Sequence, residues 1–177
     1  MREQNSVIDY SINQSVANFN PVFSNRFFIE VGLPADLLAS ADTQRLDILC
    51  DSVTLPGLKI ATNESMNAYK STPMPYSFVN DELVVSFKAV KDGIEYGLFN
   101  QWLEKIVNPE TYELAYKNDV VSDWTVYQLD SANQTISAIK LINVFATSIS
   151  QIDLTSDTAD VVKFTVNAIF ERRKREY

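Results

Sequence analysis

Histidine is absent from the 177-residue sequence, which has one cysteine and four glycines. The commonest general base and a usual zinc ligand are therefore missing, and a serine or cysteine nucleophile lacks its usual partner. A lone cysteine excludes an intrachain disulfide, so we predict that Cys50 is a small buried hydrophobe in a reducing compartment. The glycines, at positions 32, 57, 93 and 97, form neither a dinucleotide-binding turn nor a phosphate-binding loop.

Acidic residues are more numerous than basic ones, at 23 against 15, and the formal net charge is -8. A nucleic-acid grip needs a basic face, so specific DNA binding is not expected. The acid-rich segment 153–160 lacks the glycine and the bidentate glutamate of an EF-hand loop, and we expect a solvated turn and no metal site. A carboxylate pair of the glycosidase kind stays open, although no pattern selects two carboxylates. We expect no enzyme, no catalytic residue and no cofactor.

The length and the 46% hydrophobic content fit one domain spanning residues 1–177. No apolar run approaches the roughly 20 residues of a membrane-spanning helix, and the first residues lack a signal-peptide core. We therefore expect a soluble protein made in a cytoplasm, with no membrane partner.

One segment has a sustained helical period, with apolar residues from Ile94 to Ile106 at spacings of three and four. The pattern predicts one helix over about residues 93–107, with Asp92 as a cap at its start and Asn108-Pro109 ending it. Glu95 is predicted on its polar face.

Most of the other patterned segments predict strands. They cover residues 26–31, 46–55, 82–90, 124–129, 135–145 and 161–172, and a helical turn is predicted over residues 36–45. Six or so strands with one helix predict a mainly β (α+β) fold, an antiparallel β-sandwich or barrel flanked by that helix.

Three segments show no clear period. Residues 1–24 are rich in Asn, Ser and Gln and predict an arm that orders only against a neighbour. Residues 56–80 predict a long loop, and its Met, Tyr and Phe residues are types enriched at protein interfaces; the alternative is a loop folded back over its own domain. Residues 172–177 form a basic tail, predicted to be a solubilising end or a partner contact, with nucleic-acid or membrane binding as the alternative.

The sequence resembles the tail tube proteins of contractile-tailed, T-even-like bacteriophages, and more distantly the tube proteins of contractile injection and type VI secretion systems. The resemblance is carried by SNRFFIEVGLP at 24–34, ILCDSVTLPGLKIAT at 48–62, FNQWLEKIVNPET at 99–111 and the segment from IKLINVF to FERRK at 139–174. It implies a tail-tube-like domain, six copies in a ring, and rings stacked into a hollow conduit for DNA ejection. It also implies a structural virion protein that is assembled in the host cytoplasm and contacts sheath, baseplate and neck proteins.

Two sets of residues follow as site predictions. The subunit interface is predicted to use the end of the second strand and the loop after it, namely Leu55, Pro56, Gly57, Leu58, Ile60, Met66, Tyr69, Met74 and Tyr76. The lumen, through which DNA passes without specific binding, is predicted to be lined by Glu82, Ser86, Thr165, Asn167 and Glu171, because they lie opposite apolar faces. The alternatives are a tube initiator or terminator of the same fold at the baseplate or neck, and a non-catalytic β-sandwich that binds a carbohydrate or protein ligand.

Overall fold

The computed structural model describes residues 23–38, 43–67, 70–152 and 161–176. The predicted turn at 153–160 and nearly all of the predicted arm lie outside them. Nine strands and four helices occur in the described part, in the order β1 (Phe27–Glu30), α1 (Ala35–Leu38), α2 (Thr43–Leu49), β2 (Cys50–Thr54), β3 (Leu58–Asn67), β4 (Lys70–Asn80), β5 (Leu83–Lys88), α3 (Ile94–Ile106), α4 (Lys117–Val120), β6 (Ser122–Leu129), β7 (Thr135–Ile149), β8 (Lys163–Ile169) and β9 (Arg172–Glu176).

The strands form an antiparallel β-sandwich in which β7 belongs to both sheets. The first half of β7 pairs with β6 and β9, and β1 pairs with β6. The second half of β7 pairs with β8, which is followed across the second sheet by β5 and β2. The predicted mainly β fold is therefore confirmed.

A sharp corner lets β7 pass from one sheet to the other. Pairing with β9 ends at Ile142, and pairing with β8 begins at Phe145. Between them Asn143 has a φ of 56°, a left-handed conformation that asparagine tolerates better than most residues. Its side-chain amide donates to Glu171 Oε2 at 2.8 Å, and its N–H donates to Asp123 Oδ1 at 3.1 Å. The corner is therefore fixed by polar contacts rather than by a glycine.

The predicted helix is α3, and its apolar stripe closes the core. Phe99 packs against Phe87 in a tilted arrangement and against Phe164 edge-on, at ring-centroid distances of 5.2 and 6.0 Å. Trp102 contacts Trp124 of the first sheet at 6.2 Å and donates its Nε1–H to the Val120 carbonyl at 2.8 Å. The alternation predicted for β5 is also confirmed, since Leu83, Val85 and Phe87 are fully buried.

Two details of α3 were predicted wrongly. Asp92 does not cap it; the N-cap is Gly93, with a φ of 60° that favours glycine, and Asp92 instead pairs with Arg45. Glu95 is 2% exposed rather than on a polar face, because Arg45 of α2 approaches its carboxylate at 2.7 Å.

The strand predicted over residues 46–55 is wrong for its first four residues, which belong to α2. Helical spacing buries Leu46, directs Arg45 to α3 and lets Asp47 Oδ1 accept the N–H of Val31 at 2.9 Å. In an alternating strand Ile48 would lie on the same face as Leu46 and would be buried with it, but Ile48 is 79% exposed. Contacts with three neighbouring segments therefore override the local strand propensity.

Two segments predicted without regular structure are strands. The interval 56–80 contains β3 and β4, a hairpin that forms a sheet of its own. The basic tail contains β9, which pairs with Ala138–Ile142 of β7. The strand count rises from the predicted six to nine among the described residues.

Candidate assembly surfaces

The β3–β4 hairpin lies apart from the core. None of its described side chains is buried, although its two strands have 10 and 11 residues. A two-stranded hairpin alone is at best marginally stable in water, and three strands or packing against another element are normally needed. The hairpin therefore has little to stabilise it within the described part of this chain, where Asn80 Nδ2 at its base donates to the Glu171 carbonyl at 3.3 Å.

The base of the hairpin has an exposed apolar face. Ile60 pairs with Phe78, so both side chains lie on one face, and Leu58 shares it by the two-residue period of a strand. Their exposed fractions are 53% for Ile60, 72% for Phe78 and 62% for Leu58. Contiguous exposed apolar surface of this kind marks interaction sites on proteins.

Of the predicted interface residues, Leu58 and Ile60 lie on this face, and Met74 and Tyr76 lie on β4 of the same hairpin. Leu55, Leu58, Ile60, Met74 and Tyr76 are exposed large apolar side chains. By contrast, Pro56 is buried, and its carbonyl accepts a hydrogen bond from Arg173 Nη1 of β9 at 2.9 Å.

Three of those predictions add little to this surface. Gly57 is exposed but has no side chain to contribute. Tyr69 lies outside the described residues, and the side chain of Met66 is not described either. Phe78, the one phenylalanine in residues 56–80, was counted among the interface residue types but was not named as a site residue.

A second candidate surface is the outer face of the second sheet, which is rich in small polar side chains. Ser86 and Thr165 are cross-strand partners, with their hydroxyl oxygens 3.3 Å apart, and Ser52 pairs with Ser86 on the other side. Asn167 is two residues beyond Thr165 on β8, so it lies on the same face. The structure thus brings together three of the predicted lumen residues.

The same face ends in a cluster of charges. Asp51 pairs with Lys163 at 2.6 Å and with Lys88 at 3.0 Å. The hydrogen bonds from Lys163 and then from Lys88 hold the pKa of Asp51 below its ordinary value. At neutral pH the cluster has one negative and two positive charges, so this end of the face is not acidic.

The other two predicted lumen residues lie elsewhere. Glu82 precedes β5 and is exposed, and Glu171 lies at the corner of the sandwich. There Glu171 Oε2 is 2.8 Å from Lys117 Nζ and accepts the amide of Asn143. Through these contacts Glu171 helps to hold the corner together, which is a structural role.

The connection after α3 presents a further exposed apolar surface. Tyr112, Leu114 and Tyr116 are 80%, 76% and 85% exposed. The loop is nevertheless ordered by its own hydrogen bonds, since Asn108 Oδ1 accepts two backbone N–H groups at 2.9 and 3.2 Å and Val107 bridges to Leu114. The two-residue spacing of Tyr112, Leu114 and Tyr116 was visible in the sequence, but it did not indicate that these side chains are exposed.

Cys50, by contrast, is only partly buried, whereas the sequence predicted a buried residue. It packs against the buried cluster, and burial, followed by the charge of Asp51, raises its pKa to about 12. The thiol is therefore protonated at neutral pH and is a poor nucleophile. In the part of the chain that the structure describes, no group of three metal-ligating side chains comes together, and no helix is long and apolar enough to cross a membrane.

A β-sandwich whose chief exposed features are an unsupported apolar hairpin and polar sheet faces has the features of a subunit that assembles with other chains. The chain belongs to the phage tail tube protein family, whose family model matches residues 13–176. No curated protein matches the sequence.

Solved structures share the fold. A sheath/tube terminator of the PVC extracellular contractile injection system, in its extended state, has a TM-score of 0.67 at 14% identity and covers 90% of this chain and 99% of its own. A chain of the PVC sheath–tube complex scores 0.65 at 13% identity, covering 92% and 96%. A chain from the anti-feeding prophage tube-terminating cap scores 0.65 at 12% identity, covering 89% and 92%.

Proposed function

We propose that this chain is a structural subunit of a phage tail tube, in which six copies form a ring and stacked rings form a hollow conduit for DNA ejection. The observation that carries the proposal is the β3–β4 hairpin, two long strands without a single buried side chain among those described. Contacts with a neighbouring copy would bury its apolar face and supply the stability that the hairpin lacks alone. Membership of the tail tube family supports the same assignment.

The conduit requires an inner surface that does not hold DNA. We assign this role to the outer face of the second sheet, with Ser52, Ser86, Thr165 and Asn167, because hydroxyl and amide groups offer no fixed charge to phosphate. The Asp51, Lys88 and Lys163 cluster at one end of the face is the exception. The net charge of -8 on the chain adds repulsion at longer range. The proposed role involves no chemical step. The particle would assemble in the host cytoplasm, with sheath, baseplate and neck proteins as further partners.

Removing the hairpin tests the proposal. Leu58 and Asn80 are register partners, so their Cα atoms are about 5 Å apart, and residues 59–79 can be replaced by a short Gly-Ser linker that bridges this gap. The sandwich should still fold, as measured by circular dichroism, while electron microscopy should show tubes only for the intact chain. Replacing Leu58, Ile60 and Phe78 by serine keeps the strands and tests the apolar face separately. Normal tubes from the deletion variant would contradict the proposal.

A tube initiator or terminator is the second candidate, favoured by the likeness to the two terminator structures. Such a protein would form one ring without stacking. Purified chain that yields only single rings under conditions of concentration and salt that promote polymerisation would support this candidate instead. A monomer that binds a carbohydrate or protein ligand would show neither rings nor tubes.

A further inference from the structure

The two edges of the β3–β4 hairpin differ in a way that the exposed face does not reveal. Pro75 pairs with Thr62, and Pro73 pairs with Glu64. In an antiparallel ladder, pairs that exchange two hydrogen bonds alternate with pairs that exchange none. Proline has no N–H, so the ladder stays intact only where both prolines occupy the pairs that exchange none. Being two residues apart, they share that phase.

This phase fixes what each outer edge offers. On β4, the positions whose N–H groups should point outward include Pro73 and Pro75, so two donors are missing from that edge. On β3, their partners Thr62 and Glu64 direct N–H and C=O groups away from β4, and Ile60 shares this phase by the two-residue period. Among the described residues no strand other than β4 pairs with β3, and none of the backbone hydrogen bonds outside the strand ladders reaches these groups. The hairpin therefore has one blocked edge and one open edge.

We propose that the open edge of β3 pairs with a strand of a second copy of this chain, while the edge of β4 stays unpaired. The inference deepens the proposed function and rests on it. The described strands of the same chain leave β3 uncovered, since β3 and β4 form a separate sheet. A strand added to β3 supplies the third strand that a stable sheet needs. A ring of six copies needs contacts between unlike surfaces, so the strand added to β3 must be one other than β3 of the second copy.

The test introduces a proline, which lacks an N–H donor, on the β3 edge and, in a separate variant, removes one from the β4 edge. Thr62→Pro removes an outward N–H from β3, as Pro75 does on β4, and leaves the bonds between the two strands in place. We expect tube formation, followed by light scattering and electron microscopy, to slow at least tenfold or to stop. The matched control, Pro75→Thr, restores a donor to the β4 edge and should assemble at the wild-type rate. Glu64→Pro repeats the test at a second position.

Hydrogen exchange separates loss of pairing from loss of the hairpin. The amides of Asn63 and Ser65 should point towards β4, so their protection in unassembled Thr62→Pro should equal that in the unassembled wild type. Asn63→Pro, which removes an inward bond, provides the reference for a broken hairpin. Wild-type assembly by Thr62→Pro, or loss of assembly in Pro75→Thr with the hairpin intact, would overturn the edge assignment. A wild-type chain that never associates with itself would overturn the proposed function as well.

Discussion

The buried ion pair between Arg45 and Glu95 provides the sharpest test of how the core is held together. The Glu95 side chain is 3% exposed, and Arg45 Nε lies 2.7 Å from its Oε1. Neither carboxylate oxygen has an aligned hydrogen bond among the described residues, so the attraction of Arg45 is its main compensation. The first turn of α3 adds a smaller favourable field, because the helix N-terminus has partial positive charge.

Replacing Arg45 by methionine should leave the Glu95 carboxylate buried in the core without its ion-pair partner. Breaking a fully buried pair costs about 3–5 kcal/mol, whereas exposed pairs contribute about 0–1 kcal/mol. Arg45 is 33% exposed, so solvent already screens part of the interaction. We therefore expect Arg45→Met to lower the free energy of unfolding by about 2–3 kcal/mol. For a domain of this size the melting temperature should fall by roughly 4–12 °C.

Urea unfolding of the unassembled protein, followed by circular dichroism, measures the loss. Arg45→Met/Glu95→Gln, which removes both charges, should recover at least half of it, and the cycle of single and double variants gives the coupling energy. Asp92→Asn is the matched control, since Asp92 is 57% exposed at 3.2 Å from Arg45 and should change stability by no more than about 0.5 kcal/mol. An Arg45→Met variant as stable as the wild type would refute the reasoning, as would a double variant whose loss equals the sum of the singles.

Three further predictions concern the packing and the corner. Gly32→Ala should cost at least about 1–3 kcal/mol in urea unfolding, because an added Cβ would lie 2.2 Å from the Asp123 carbonyl oxygen; an unchanged midpoint would contradict the packing. Trp102→Phe should cost about 2–4 kcal/mol through a lost buried hydrogen bond and a cavity, and a loss below about 1 kcal/mol would show that the core relaxes around it. The hydrogen bond from Lys117 is the main reason that the pKa of Glu171 is below its ordinary value of 4.5. The ion pair therefore stabilises the folded protein above pH 4.5, and this stabilisation is lost as the pH falls through the lowered pKa of the folded state. Lys117→Met should therefore flatten the pH dependence of unfolding below pH 4.5, and an unaltered slope would count against the ion pair.

The elements that the sequence predicted well are those that bury one side within the chain. In β5, Leu83, Val85 and Phe87 alternate because every second side chain enters the core. The stripe of α3 recurs at three and four residues for the same reason. A periodic pattern arises where one face of an element is buried and the other is exposed, and in β5 and α3 the buried face packs within the same subunit.

The elements that were missed lack that signal or are too short to display it. Seven residues of α2 give fewer than two full helical repeats, and its contacts with β1 and α3 come from distant parts of the sequence. In β9, four of the five residues are basic and mostly exposed, so no apolar alternation could mark a strand. Its pairing with β7 depends instead on continuing the register of β8 past the corner at Glu171.

The hairpin is the extreme case, and its missing period has a physical cause. Leu58, Ile60 and Phe78 are placed as the apolar face of a strand pair would be, but nothing in the described chain covers them. Sequence patterns predict the residues that a chain buries within itself, and residues 56–80 contain no such pattern. If a second copy supplies the cover, as we propose, the alternation belongs to the assembly rather than to the monomer. A long segment with exposed apolar side chains and two in-phase prolines is then better read as an edge awaiting a partner than as a loop.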